Sequence, residues 1–172
     1  MKRLTVSILL IIICFLLQTT VFRGLAFGGI VPNLLIVLTS AFGFMRGERT
    51  GLLMGFLCGF LADIFFGNVL GLNAMIYMYI GYTNGKFNRI FFPDDIKLPL
   101  LLIFLSDLAY GFLYYVVLFL MRGRFQLDYY FLHIILHEIV YTLLMTLLLY
   151  PLILKINKGL EASEQRSAKK FV

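Results

Sequence analysis

The amino-acid sequence predicts an all-α polytopic membrane protein, with six transmembrane helices in one bundle and both termini cytoplasmic. Three observations predict it. First, 61% of the 172 residues are hydrophobic and only 14% are charged, against about 25% charged in an ordinary soluble domain. A domain this small has too little interior to hide so much apolar surface from water. Second, the apolar residues fall into six runs, each near the length that crosses a bilayer. Third, the basic residues gather on alternate breaks between those runs.

A spanning helix needs about 20 mainly apolar residues at about 1.5 Å rise each. The runs lie at residues 4–22, 31–45, 51–66, 72–88, 98–121 and 129–154. The breaks between them, at 23–30, 46–50, 67–71, 89–97 and 122–128, are short and polar or glycine-rich, as antiparallel neighbours require. The second and third runs are short. Either they cross with little tilt, aided by snorkelling of Arg46 and Arg49, or they form a re-entrant hairpin. Six full spans is the reading preferred. Residues 1–154 then form the membrane domain, and 155–172 a short basic cytoplasmic tail.

Orientation follows from Lys and Arg. With the amino terminus inside, the inner segments hold Lys2, Arg3, Arg46, Arg49, Lys86, Arg89, Lys97, Lys155, Lys158, Arg166, Lys169 and Lys170. The outer segments hold only Arg23, Arg122 and Arg124. The net charge of +6 is therefore explained by orientation and by contact with membrane lipid, and no nucleic-acid partner is expected. Met1-Lys2-Arg3 before an apolar run imitates a signal peptide, but Phe22-Arg23-Gly24-Leu25-Ala26-Phe27 is a poor cleavage site, so an uncleaved first span is expected. Cys14 and Cys58 lie inside apolar runs and read as small hydrophobes.

Gly51, Gly55 and Gly59 recur every four residues, and Asp63 continues the row; Gly81 and Gly85 repeat the step on the fourth run. Such rows let helix backbones approach closely, which matters where lipid offers no hydrophobic drive for association. Packing within the chain is expected of them, ahead of an oligomer seam.

Ionisable residues inside the runs are Asp63, Asp107, His133, His137 and Glu138. An acid at mid-span costs roughly 2.5 kcal/mol or more, so these side chains are expected to face the bundle interior, a wet cavity or a partner. The topology brings Gln18, Asp63, Asn73, Tyr77, His133 and His137 toward the outer leaflet, with Asp107 and Glu138 nearer the midplane. They form either an outward polar pocket or docking site, or a satisfied hydrogen-bond network between helices. Asp107, Tyr110 and Tyr114 share one helix face. His133 and His137 stand at i, i+4, but the glutamate follows the second histidine rather than the first, unlike the H-E-x-x-H zinc helix. No metal or cofactor is expected. Walker, GxSxG and cysteine–histidine signatures are absent from the sequence, and an enzyme is not expected.

Leu17-Gln18-Thr19-Thr20 and Pro32-Asn33-Leu34-Leu35 resemble the MreD family of rod shape-determining membrane proteins. So do Arg46-Gly47-Glu48-Arg49-Thr50-Gly51-Leu52, Gly59-Phe60-Leu61-Ala62-Asp63-Ile64-Phe65-Phe66-Gly67 and Leu70-Gly71-Leu72-Asn73-Ala74. The resemblance implies a scaffold of lateral peptidoglycan synthesis in the bacterial inner membrane. It implies MreC and MreB as partners, and through them RodA and the elongation transpeptidase. It also implies a fold similar to the S components of energy-coupling-factor transporters. A ligand-binding subunit of that transporter class is the alternative function, but its AxxxA row on the first span has no counterpart in Leu4-Thr5-Val6-Ser7-Ile8-Leu9. Reporter fusions at either chain end should report the cytoplasm; the two ends on opposite sides would overturn the six-span reading.

Overall fold

The computed structural model describes residues 2–24, 26, 30–67, 69–90, 96–122 and 135–168, with side chains over 3–24, 26, 30–67, 69–90, 96–117 and 135–162. All of its regular elements are helices. Helix α1 (Lys2–Leu16) runs on through a π-helical turn (Leu17–Val21) to a last short turn (Phe22–Gly24). It is followed by α2 (Leu34–Arg46), α3 (Glu48–Phe66), α4 (Leu72–Lys86, ending in a 3-10 turn, Phe87–Ile90), α5 (Lys97–Arg122) and α6 (Leu136–Ala168). Among the described residues, each apolar run therefore contributes one helix.

Four of these helices are long and apolar enough to cross a membrane: Arg3–Gly24, Glu48–Phe66, Lys97–Val117 and Leu136–Ala162. The third run, expected to be short, gains a turn from Glu48-Arg49-Thr50 and reaches 19 residues. Helices α2 and α4 are shorter, at 13 and 15 residues, or about 20 and 23 Å at about 1.5 Å per residue. Helix α2 has no lipid face to match. Every residue from Leu34 to Met45 is buried, and α2 touches all five other helices. It is the axis around which the bundle is built. On the outside, Ile8, Leu9, Ile12 and Ile13 of α1 and Leu144, Leu147 and Leu148 of α6 are exposed. That much bare apolar surface suits hydrocarbon rather than water.

The closest packing joins α3 to α4, antiparallel and in strict register. Gly51 faces Gly81, Gly55 faces Tyr77 and Gly59 faces Asn73, so that a Cβ on any of these three glycines would run into the backbone opposite. Gly43 of α2 joins the seam, where an added Cβ would lie 2.6 Å from the Gly81 carbonyl oxygen. Three backbones thus meet around Gly43, Gly51 and Gly81. Gly85 carries the row to its end against Glu48. Between α2 and α3 the chain turns on Gly47 alone, whose φ of +90° is a conformation that glycine adopts without steric cost.

Helix α6 contains Pro151 and continues through residue 154 to Ala168 without a break. The stretch expected as a separate tail thus begins as the same helix, and Asn157 within it is buried.

Gly55→Val should destabilise the detergent-solubilised protein by about 3 kcal/mol, because a rigid backbone offers no room to repack. Gly159, with nothing within 4 Å of its missing Cβ, is the control: Gly159→Ala should raise stability by up to about 1 kcal/mol through helix propensity. Thermal unfolding of the two variants checks both.

Candidate functional site

A helix buried along its whole length leaves its first N–H groups and last C=O groups inside the protein, where water does not satisfy them. The site follows from how this chain meets that demand. At the start of α2, Asn33 is the N-cap: its Oδ1 accepts the Ile36 N–H at 3.3 Å and the Tyr77 hydroxyl at 2.8 Å. Its own N–H donates to Thr142 Oγ1 at 3.1 Å. Gln18 Oε1 accepts the Leu34 N–H at 3.1 Å. Gln18 sits on the π-helical turn of α1. The hydroxyl of Thr19 donates back to the Phe15 carbonyl at 2.9 Å, and that of Thr20 to the Leu16 carbonyl. One cap thereby ties together α1, α2, α4 and α6.

Asp63 performs the same task for α4. Its carboxylate accepts the N–H groups of Gly71 (3.0 Å), Asn73 (3.0 Å) and Ala74 (2.9 Å). The N-cap position itself is Gly71, which has no side chain to offer. An acid lent by the preceding helix replaces it, and a negative charge suits the positive end of the helix dipole. Asn73 in turn accepts the Tyr110 hydroxyl at 3.0 Å, linking α4 to α5. The Tyr77 and Tyr110 rings meet edge to face, 5.2 Å between centroids, and Tyr114 stacks on Tyr110.

At the other end of α2, Asn88 Nδ2 donates to the Phe44 carbonyl at 2.8 Å, and the Arg46 side chain reaches out to two neighbouring helices. Its Nε donates to Asn157 Oδ1 at 2.6 Å, its Nη1 donates to Ser7 Oγ at 3.2 Å, and its guanidinium lies over the Phe42 ring. A cation at a helix carboxyl end is favourable. Because Ser7 and Asn157 meet here, the beginning of α1 and the late turns of α6 lie at the same end of the bundle. Between the two levels, Asn84 Nδ2 donates to Ser40 Oγ at 3.3 Å and to Ser106 Oγ at 2.7 Å, joining α4 to α2 and α5.

Two acids stand apart from this framework. Asp107 of α5 is 3% exposed, and neither carboxyl oxygen has a hydrogen-bond partner among the described residues. Thr142 faces it from α6 without completing a hydrogen bond, and Glu138 lies within electrostatic reach of it, toward Asn33. Gln18, Asp63, Asn73 and Tyr77 all hold helix ends or neighbouring helices, whereas neither Asp107 oxygen does; Glu138, half-buried, faces Asn33 of the α2 cap. A buried polar group left without partners lowers stability. Asp107 is therefore an acid of the interior that folding does not account for, with Glu138 as its acidic neighbour.

Of the bundle interior, a wet cavity or a partner expected for the ionisable residues, His137 does not take the first. It is exposed and lines an apolar surface groove of about 440 Å³ with Ile30, Val140 and Tyr141. The reason is helical phase: α6 turns Ile135, Ile139, Thr142 and Thr146 to the core, which rotates position 137 outward. His133 lies outside the described residues. Among the described residues, no three His, Cys, Asp or Glu side chains group closely enough to hold a metal ion.

Sequence reasoning did not single out Asn33, Arg46, Ser106, Thr142 or Asn157 as structural groups. Asn33 carried a signal, as an Asn directly before an apolar run is an N-cap pattern. Arg46 reads from the sequence as a topological charge and a snorkelling side chain, not as a link between helices.

The family model described as "MreD: rod shape-determining protein MreD" matches residues 1–159. No curated protein matches, and no solved structure does.

Asp63→Ala should lower stability by about 2 kcal/mol, as the loss of a strong N-cap does. Asp107→Leu should leave stability unchanged or raise it, since no hydrogen bond is lost. Thermal melts in one detergent compare them; a large loss from Asp107→Leu would refute the separation of the two acids.

Proposed function

The chain belongs to the MreD family of rod shape-determining proteins, and from that premise we propose that it is a non-enzymatic scaffold of lateral peptidoglycan synthesis. In this reading it crosses the bacterial inner membrane six times with both ends in the cytoplasm. It acts with MreC and MreB, and through them with RodA and the elongation transpeptidase.

The family match over nearly the whole chain carries the proposal. The interior supports it: most of its polar side chains join one helix to the next, as a rigid scaffold needs. The transporter-subunit reading has less support. Gln18, Asp63, Asn73 and Tyr77 would line its ligand pocket, yet Asp63, Asn73, Tyr77 and the Gln18 Oε1 are committed to neighbouring helices. The meeting of Ser7, Arg46 and Asn157 supports two termini on one side. Basic residues near that end, including Lys86, Arg89 and Lys155, support its being the cytoplasmic side.

Asp107 and Glu138 are the residues proposed to carry function beyond folding, as a membrane-buried site that senses or transmits contact with a partner. In a rod-shaped bacterium depleted of its own copy, the wild-type chain should restore rods. A stable, membrane-inserted Asp107→Leu variant should leave cells round. Normal rods on depletion, with no second copy of the gene, would refute the shape reading. Full rescue by Asp107→Leu would refute the role of the acid alone.

A further inference from the structure

At the Asn33 end of the bundle, a groove of about 500 Å³ opens beside α1, lined by Gln18, Thr19, Arg23, Ala26, Val31 and Phe66. Its composition is divided. Phe66, Val31 and Ala26 make an apolar wall, and Gln18 and Arg23 bring hydrogen-bond donors. Gln18 is held in place because its Oε1 is committed to the Leu34 N–H. Its Nε2 therefore remains as the donor end of an amide already fixed at the other end. Arg23 is exposed, in the short Phe22–Gly24 turn that directly follows the π-helical segment, and adds a planar fork of N–H donors suited to an oxyanion. Thr19 and Thr20 direct their hydroxyl hydrogens to backbone carbonyls, so the donors available to a ligand come from Gln18 and Arg23. Among the described side chains, the other basic residues lie toward the Arg46 end, and Arg23 is the cation of this one.

A fixed amide and a guanidinium over an apolar wall match one ligand chemistry: a phosphate joined to a hydrocarbon chain. We propose that this groove binds an anionic membrane phospholipid, with its headgroup phosphate on Arg23 and the Gln18 amide and one acyl chain along Phe66 and Val31. A lipid is favoured over free phosphate because the apolar wall is continuous with the exposed Phe65 and Ile64 of α3, a surface that hydrocarbon covers. The inference depends on this end of the bundle lying at a membrane–water boundary. It does not depend on the scaffold reading.

Native mass spectrometry of the full chain, purified from vesicles of phosphatidylethanolamine and phosphatidylglycerol, tests it. The wild type should retain one phosphatidylglycerol about tenfold more than Arg23→Gln does, the effect of losing one charge-assisted contact. Arg23→Lys should fall between them. Lys158→Gln, at the opposite end, should match the wild type for this lipid. Equal retention by wild type and Arg23→Gln would overturn the proposal. So would an equal loss in Lys158→Gln, which would mean charge attraction without a site. Displacement of the lipid by inorganic phosphate at millimolar concentration would overturn the role of the acyl chain. The readout is independent of cell shape, so failure here leaves the scaffold reading standing.

Discussion

The structure depends on one constraint: a helix that no solvent reaches must have both ends completed by other parts of the protein. Helix α2 is buried from Leu34 to Met45. In hydrocarbon an unpaired backbone group costs several kcal/mol. The start of α2 recruits Gln18, Asn33 and Thr142; its end receives Asn88 on the Phe44 carbonyl and places Arg46 against Ser7 and Asn157. Gln18 and Ser7 come from α1, and Thr142 and Asn157 from α6, the first and last helices. The outer helices are thereby tied to the central one at both levels, and the two chain ends are brought to one side.

The α3–α4 hairpin obeys the same rule by a different route. Its glycines let two backbones touch, so packing replaces the hydrophobic drive that lipid does not supply. The same four-residue row that places Gly51, Gly55 and Gly59 on the seam places Asp63 where the seam reaches its turn. There a side chain has space, and the first N–H groups of α4 are its targets. Glycine and aspartate in one row thus perform one task, holding α4 against α3 along its length and at its start.

Against this framework the interior polar residues divide by role rather than by depth. Asp63 and Asp107 look alike as acids inside apolar runs. One accepts three backbone N–H groups, and the other has no hydrogen-bond partner among the described residues. The first is explained by folding alone. The second, with Glu138 beside it, is a cost that the fold carries without a structural return, and the functional reading of the interior rests on that contrast.

Composition and periodicity by themselves determined that this chain is a helical membrane protein. They also located the first five helices to within a few residues and showed which glycines share a face, because apolar run length and four-residue spacing are properties of the chain taken one segment at a time; the last helix runs on to Ala168. The MreD motifs were likewise legible as local strings. Which helix sits at the centre was not legible, since α2 and α1 are both apolar and only packing shows that one meets lipid. Nor could the sequence separate Asp63 from Asp107, or turn His137 outward while Thr142 points in. Those distinctions depend on the rotation of each helix about its axis and on the partner that arrives opposite, and both are set only when six helices compete for the same interior.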